Sequence, residues 1–331
     1  MPRVAAAELV GRKVVVRRIT GGPDAGAGGP VGARYTDVVG VLVAAGPATL
    51  SVRRRNRSLV DIPRSEVHLV KLVPAAPADV LALEAVAAKG WPAPDTRWLG
   101  RWLLRAAAGF TGRANSVLPL GDPGRRLDAA LAEVEAWYGE RGLPARVVVP
   151  TPAREGLDAA LADRGWTAYN TVEVLTADVE VTLARLARSA GPDLPPVAVD
   201  PTPADDWIGA YHYRGGDPLP AVGRAILAGA RQPGFAAVRA GGAVLAIARA
   251  SVDDGWVGVT AVEVDPAHRR RGLASHVMSE LLRWGAERGA ASAYLQVAVE
   301  NGPALALYDR LGFAPHHRYH YRIAGAPGSP R

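Results

Sequence analysis

Short runs in which apolar and polar residues partly alternate open the chain. LVGRKVVVRR, TDVVGVLVAA, ATLSVRRR, SLVDIP and EVHLVKLV succeed one another between Leu9 and Val73, rich in β-branched residues and separated by Gly, Pro and Asn turn signals. That rhythm predicts short strands forming a small all-β antiparallel barrel over residues 1–74, with PAAPA (Pro74 to Ala78) as the linker to the rest of the chain.

Beyond the linker the pattern occurs twice. AEVEAWYGERG (Ala132 to Gly142) matches SELLRWGAERG (Ser279 to Gly289) at a constant offset of 147, with Glu133/Glu280, Trp137/Trp284, Glu140/Glu287, Arg141/Arg288 and Gly142/Gly289 identical. The offset continues without a gap to Gly165/Gly312 and Trp166/Phe313. Upstream, Asp122-Pro123 aligns with Asp265-Pro266 at an offset of 143, so four residues are missing from the first copy between its strand and its helix. Each copy predicts a strand hairpin, an amphipathic helix, a strand, a short helix and a strand. The fold class expected is therefore α+β, a mixed sheet with flanking helices, in units at 79–190 and 196–331 joined by GPDLPPVAVDPTP (Gly191 to Pro203).

Composition narrows the function classes. The 331 residues contain no cysteine, which excludes disulfides and thiolate chemistry. No apolar run approaches the roughly 18 residues of a membrane span, and the N-terminus shows no apolar core followed by a small-residue cleavage site, so a cytoplasmic protein without membrane contact is expected. The net charge of +7 lies wholly in residues 1–74, with 12 Lys+Arg against 5 Asp+Glu; the remainder balances at 27 against 27.

The second copy carries the chemistry. Trp256 to Val264 alternates as a strand does, and Ser275 to Arg288 has Val277, Leu281 and Trp284 at helical spacing beside Met278 and Leu282. DPAHRRRGLA (Asp265 to Ala274) joins them, so a strand feeds a glycine-containing turn that opens a helix. Such a turn presents unpaired backbone N–H groups and the positive end of the helix dipole, which suits it to a diphosphate. Gly272 removes a Cβ where the chain must approach phosphate, and Ala274 keeps the next approach small.

Arg269-Arg270-Arg271-Gly272-Leu273-Ala274 resembles the R/Q-x-x-G-x-G/A pyrophosphate loop of the GNAT (GCN5-related) N-acetyltransferases. YLQVAVENGPALALYDRLGF (Tyr294 to Phe313) is similar to the strand and helix that come after the loop in that family. The match covers about residues 196–323, and loop, strand, Asn301, Tyr308 and LGF in that order make it specific. The N-terminal segment resembles the SH3-like barrels that precede some actinobacterial acetyltransferases, a group that also includes tandem GNAT domains.

The resemblance implies transfer of an acetyl group from acetyl-CoA to a primary amine, on a small molecule, a protein lysine or an N-terminus, by direct attack in a ternary complex. It implies that Val262 and Val264, with Glu263 between them, offer backbone groups to pantetheine. Amides from Arg269, Arg270, Arg271 and Gly272 through Leu273, Ala274 and Ser275 would cradle the diphosphate. Asn301, Ala304 and Tyr308 share one helix face that would border the cofactor, and Tyr308 would protonate the leaving thiolate. The plainer accounts are a core aromatic for Tyr308 and an N-cap for Asn301. The acceptor side falls in DDWIGAYHYRGGDPL (Asp205 to Leu219), where Trp207, Tyr211, His212, Tyr213 and Arg214 cluster, with packing against the sheet as the alternative.

One departure bears on mechanism. Many GNAT enzymes place a glutamate eight residues before the turn's proline, a position held here by Gly258. Thr260 has the same parity and suits holding a water, whereas alternation aims Glu263 at the other face. Glu300, His317 and Asp217 are the other candidates for taking the amine's proton. Alternation also separates His317 from His316 and His320, so no metal is expected. The first copy is expected to be degenerate: DPGRRLD lacks the loop, Leu161 stands in place of Tyr308, and Arg154 in place of Asn301.

Three function readings are open: a monomeric N-acetyltransferase, an acetyl-CoA-binding sensor without turnover, and a nucleic-acid-binding adaptor. The sensor reading is motivated by Gly258, the adaptor by Arg53-Arg54-Arg55-Asn56-Arg57. Residues 1–74 hold one aromatic, Tyr35, so base stacking lacks support and a solvated basic hairpin is the plainer account.

Overall fold

Alternation becomes strand in the basic N-terminal segment. The structure, a computed structural model, describes residues 6–20, 34–188, 194–212 and 219–325. A 3₁₀ turn (Ala6–Leu9) precedes β1 (Lys13–Thr20), β2 (Arg34–Ala45), β3 (Thr49–Arg53), β4 (Leu59–Pro63) and β5 (Val67–Leu72). They form one sheet in the order β4-β3-β2-β1-β5, and Val14, Val16, Val38, Leu42, Leu50, Val52 and Ile62 form its buried core. The barrel expected here is not closed: β4 and β5 are opposite edges, and no pairing joins them among the described residues. Of the arginine run, Arg53 pairs with Asp178 at 2.6 Å and with Glu180, which ties the sheet to the rest of the chain. Arg54 and Arg57 belong to the exposed turn between β3 and β4, where the Arg57 amide donates to the Arg54 carbonyl.

The first half of the remainder contains α1 (Pro77–Gly90), β6 (Asp95–Leu99), β7 (Trp102–Ala106), β8 (Leu118–Pro119), α2 (Leu127–Gly139), β9 (Arg146–Thr151), α3 (Glu155–Ala162), β10 (Thr167–Asp178) and α4 (Val179–Arg188). The second contains β11 (Val197–Asp200), α5 (Asp205–Ala210), α6 (Ala221–Ala228), β12 (Pro233–Ala240), β13 (Ala243–Asp253), β14 (Trp256–Val264), α7 (Leu273–Glu287), β15 (Ser292–Ala298), α8 (Gly302–Leu311) and β16 (Ala314–Ile323). On one face of the large sheet α7 buries Val277, Met278, Leu281 and Leu282, each contributing roughly 1.5–3 kcal/mol.

The residues that repeat at the offset of 147 do the same structural work in both halves. Arg141 stacks 3.8 Å over the Trp137 ring and donates to the Trp137 carbonyl at 2.8 Å; Arg288 lies 4.4 Å over Trp284 and donates to its carbonyl at 3.1 Å. Each arginine thus satisfies a carbonyl of its helix's last turn, and Gly142 (φ 62°) and Gly289 (φ 86°) then turn the chain away in the left-handed region.

The two halves share one eight-stranded sheet, ordered β11-β12-β13-β14-β15-β10-β16-β9. Each half's last strand crosses to the other half: β10 pairs with β15, β16 pairs with β9, and β10 and β16 pair antiparallel in the middle. The central register pairs Thr167 with Ile323 and Thr176 with Ala314, and the same offset of 147 carries each of these pairs onto the other. The segment boundary near 190–196 is therefore crossed by the sheet itself.

Candidate active site

Strands β14 and β15 run parallel and pair from Trp256 with Ser292 to Val259 with Leu295, and no further. The cause is local. Ala261 adopts φ 52°, a conformation that costs a non-glycine residue about 1–2 kcal/mol, and the β13 register shifts beside it, Arg249 facing Thr260 and Ile247 facing Glu263. The bulge keeps β14 on β13 while turning it from β15, whose other edge stays on β10 through Ala298. A wedge opens between Thr260–Val264 and Gln296–Ala298.

The bulge also reverses the alternation. Val257 and Val259 lie in the α7 core before it, and Val262 and Val264 pack there after it, so the parity changes from odd to even. Glu263 consequently shares the face of Gly258 and Thr260, which corrects the expectation that it points away. Its carboxylate accepts from the His212 amide at 3.1 Å and lies 3.5 Å from His212 Nδ1. Partial burial raises its pKa above the ordinary 4.5, against the opposing effect of His212. At Gly258 a Cβ would collide with the Tyr294 ring and hydroxyl, so Tyr294 fills the place next to Gly258 that a glutamate side chain there would need.

At the mouth of the wedge Asp265 Oδ1 accepts from the Ala267 amide at 2.8 Å and fixes the 3₁₀ turn Pro266–His268. Arg269 Nε donates to the Val264 carbonyl at 3.3 Å. Arg270 (φ 60°) and Gly272 (φ 86°) then wind the chain into α7, and no side chain among the described residues caps the helix at Gly272. The amides of Leu273, Ala274 and Ser275 in the first turn of a 15-residue helix point outward beside three arginines, an arrangement suited to a diphosphate.

The remaining predicted residues divide between packing and site. Asn301 is the N-cap of α8, its Oδ1 accepting from the Ala304 amide at 3.2 Å. Tyr308 lies in the same core as Val259, Val297 and Leu273; burial raises its pKa to about 12, so the phenol stays protonated at neutral pH. Trp207 and Tyr211 are buried and stacked at 5.8 Å, and Trp207 Nε1 donates to the Ala236 carbonyl at 2.9 Å, which is the packing account. Glu300 is exposed in the turn leaving β15. His317 is fully buried, with Nε2 2.9 Å from Glu84 Oε1 and Nδ1 2.8 Å from His316 Nδ1. That contact corrects the expectation that alternation separates the two histidines: a register irregularity against β10 makes His316 the extra residue. Among the described residues no three His, Asp or Glu side chains form a metal-holding group. Tyr213, Arg214 and Asp217 lie outside the described residues.

A family model described as "Probable histone acetyltransferase Rv0428c C-terminal" matches residues 77–322. The chain belongs to this family of GNAT acetyltransferases. It is 32% identical over 303 residues to the probable histone acetyltransferase Rv0428c of Mycobacterium tuberculosis, covering 88% of this chain and 90% of that protein. It is 30% identical over 253 residues to the uncharacterized N-acetyltransferase YobR of Bacillus subtilis, covering 74% of this chain and 98% of that one. A GCN5-related N-acetyltransferase from Kribbella flavida shares the fold at a TM-score of 0.56 and 18% identity, over 76% of this chain and 96% of that chain. A tandem GNAT protein from the clavulanic acid biosynthesis pathway does so at 0.50 and 17%, over 78% and 91%. This GNAT protein is thus an enzyme, an acyltransferase with a mixed α/β fold.

Several residues of the acetyltransferase's wedge escaped sequence reasoning. Glu84, on α1, accepts from Gln296 Nε2 at 3.3 Å, and Arg113 donates to Gln296 Oε1 at 2.9 Å; nothing in the sequence near 84 or 113 signals contact with residue 296. Arg249 did carry a signal: it is the one charge in the apolar run from Ala243 to Val252.

Proposed function

We propose that this acetyltransferase moves an acetyl group from acetyl-CoA to a primary amine at the β14–β15 wedge. The observation that carries the reading is the joining of an opened parallel strand pair to an uncapped helix N-terminus by the Arg269–Gly272 turn. Acetyl-CoA supplies an electrophilic thioester carbonyl. Amides from Arg269 to Ser275 hold the diphosphate, and the backbone of Val262 and Val264 lines the pantetheine path. Tyr308 holds the proton destined for the thiolate, with Asn301 and Ala304 setting the start of its helix. On the acceptor face Thr260 positions the amine or a water, and Glu263 accepts the amine's proton; Glu300 stands at the rim and His317 orients Glu84. His212 shapes the entrance, beside Trp207 and Tyr211. Glu263 on the acceptor face favours turnover over a sensor role.

A carboxylate must be ionised to take a proton, so kcat/KM falls as pH drops through the Glu263 pKa. Because burial raises that pKa, the acid limb is expected above pH 4.5. Glu263→Gln should lower kcat/KM by about 10–10²-fold and remove that limb. A pH profile unchanged in the variant would assign the proton elsewhere.

In the same reading residues 1–74 form an SH3-like module, 79–190 a degenerate GNAT unit and 196–331 the working one. Pro119 corresponds to Val262 at the offset of 143 and has no amide to offer, and its carbonyl already accepts from Arg154 Nε at 2.7 Å. Arg154, in the place of Asn301, therefore takes the backbone group that pantetheine needs. Leu161, in the place of Tyr308, is wholly buried and has no proton to give. Arg125 is paired with Glu133 rather than left for phosphate. Calorimetric titration with acetyl-CoA in moderate salt is expected to give one site per chain, and acetyl transfer to an amine panel to depend on it. Two sites of similar affinity would overturn the degenerate reading, and no transfer to any amine or protein would overturn the activity.

A further inference from the structure

Arg249 is fully buried on the acceptor side of β13. Its Nε donates to the Leu227 carbonyl at 2.6 Å and its Nη1 to Thr260 Oγ1 at 3.4 Å, but Nη2 has no hydrogen-bond partner among the described residues. Arg113 brings a second guanidinium from the loop between β7 and β8, bonded to Gln296. The two guanidinium carbons lie 5.5 Å and 4.8 Å from the centroid of the Trp91 ring. Thr260 and Gln296 directly follow the last β14–β15 pair, Val259 with Leu295, so both cations meet the strands at the apex of the wedge.

Nothing in the described protein balances this charge at contact distance. Neither arginine has a carboxylate within ion-pair range among the described residues; Asp253 acts on Arg249 only through space, alongside Tyr294, Tyr211 and the repulsion of Arg113. Glu84 is engaged by His317 and Gln296. Burial lowers the Arg249 pKa to about 10, so it remains a cation at neutral pH. A buried guanidinium with an idle Nη2 is unfavourable unless an acceptor meets it, and the acceptor that would also neutralise two neighbouring guanidiniums is a carboxylate.

We propose that Arg249 and Arg113 receive a carboxylate on the acceptor, making the substrate a small amino-carboxylate compound such as a free amino acid. An α-amino acid carries its amine one carbon from its carboxylate, so a carboxylate held by these guanidiniums keeps the amine close to Thr260 and Gln296, to which they are bonded, whereas the ε-amine of a protein lysine has no carboxylate near it. This inference rests on the wedge being the transfer site.

The test uses the full chain and matched acceptors: lysine with cadaverine, tyrosine with tyramine, phenylalanine with phenethylamine. In the wild type kcat/KM should favour the amino acid by about 10–10²-fold, the worth of a charge-assisted hydrogen bond. In Arg249→Lys, which keeps the charge but loses Nη2, that preference should shrink to about twofold, with acetyl-CoA affinity by calorimetry unchanged. Should Arg249→Lys not fold, Arg113→Gln, at a half-buried position, is expected to narrow the preference at least threefold. Equal kcat/KM for both members of every pair, or transfer to protein lysines alone, would overturn the inference and leave the acetyltransferase reading standing. Absence of transfer to any amine or protein, with acetyl-CoA bound, would overturn both.

Discussion

Gly272→Glu is expected to abolish acetyl-CoA binding while the protein stays folded. Gly272 precedes the first turn of α7 with φ 86°, and the nearest atom to an added Cβ is Leu194 Cδ1 at 3.7 Å, an ordinary contact, so a Cβ fits there. Backbone strain would cost about 1–2 kcal/mol. A carboxylate at a helix N-terminus is otherwise favourable, by about 0.3–1 kcal/mol, which offsets part of that strain. Its effect on a diphosphate is much larger. Two like charges about 4 Å apart repel by about 4 kcal/mol at an effective dielectric constant of 20, close to a 10³-fold loss of affinity before the second phosphate is counted. Gly272→Ala separates the two terms, because it carries the strain without the charge and should lose about tenfold or less. The check is calorimetry on all three proteins, with circular dichroism to confirm folding. A folded Gly272→Glu that binds acetyl-CoA as the wild type does would remove the diphosphate from this turn.

What the sequence made legible was repetition and local chemistry. The offset of 147 between Trp137 and Trp284 locates both helices and reappears in the sheet as the register between β10 and β16. The reason is physical: the repeated Trp, Arg and Gly end a helix, and helix endings are set by residues close in sequence. The exchange of β10 and β16 between the halves was not legible, because antiparallel strands of similar composition carry no local mark of their neighbour. Neither was the bulge at Ala261. Alanine gives no sign of a positive φ, yet one such residue reverses the alternation and moves Glu263 to the acceptor face. The N-terminal strands were legible as strands, but alternation does not specify whether edges meet, and among the described residues β4 and β5 do not.

Tyr308→Phe should lower turnover by about 10²-fold while leaving acetyl-CoA affinity within about threefold. The substitution keeps the ring, which packs 6.0 Å from Phe313 and lies in the core with Leu273 and Val297, so α8 retains its seat against the sheet. Only the hydroxyl is lost, and with it the proton proposed for the departing thiolate. A general acid works while protonated and fails once pH rises above its pKa. Since burial sets Tyr308 near 12, it remains protonated across the range in which the protein can be assayed. The wild-type rate should therefore show no alkaline loss belonging to Tyr308. The variant's profile should lie below it by a constant factor, with the acid limb of Glu263 still present. This distinguishes loss of the proton donor from a repacked core, which would change acetyl-CoA affinity and thermal stability together with rate. Single-turnover measurement at saturating acetyl-CoA isolates the chemical step from product release. Wild-type turnover in Tyr308→Phe on an acceptor the enzyme demonstrably acetylates would leave Tyr308 as a core aromatic alone.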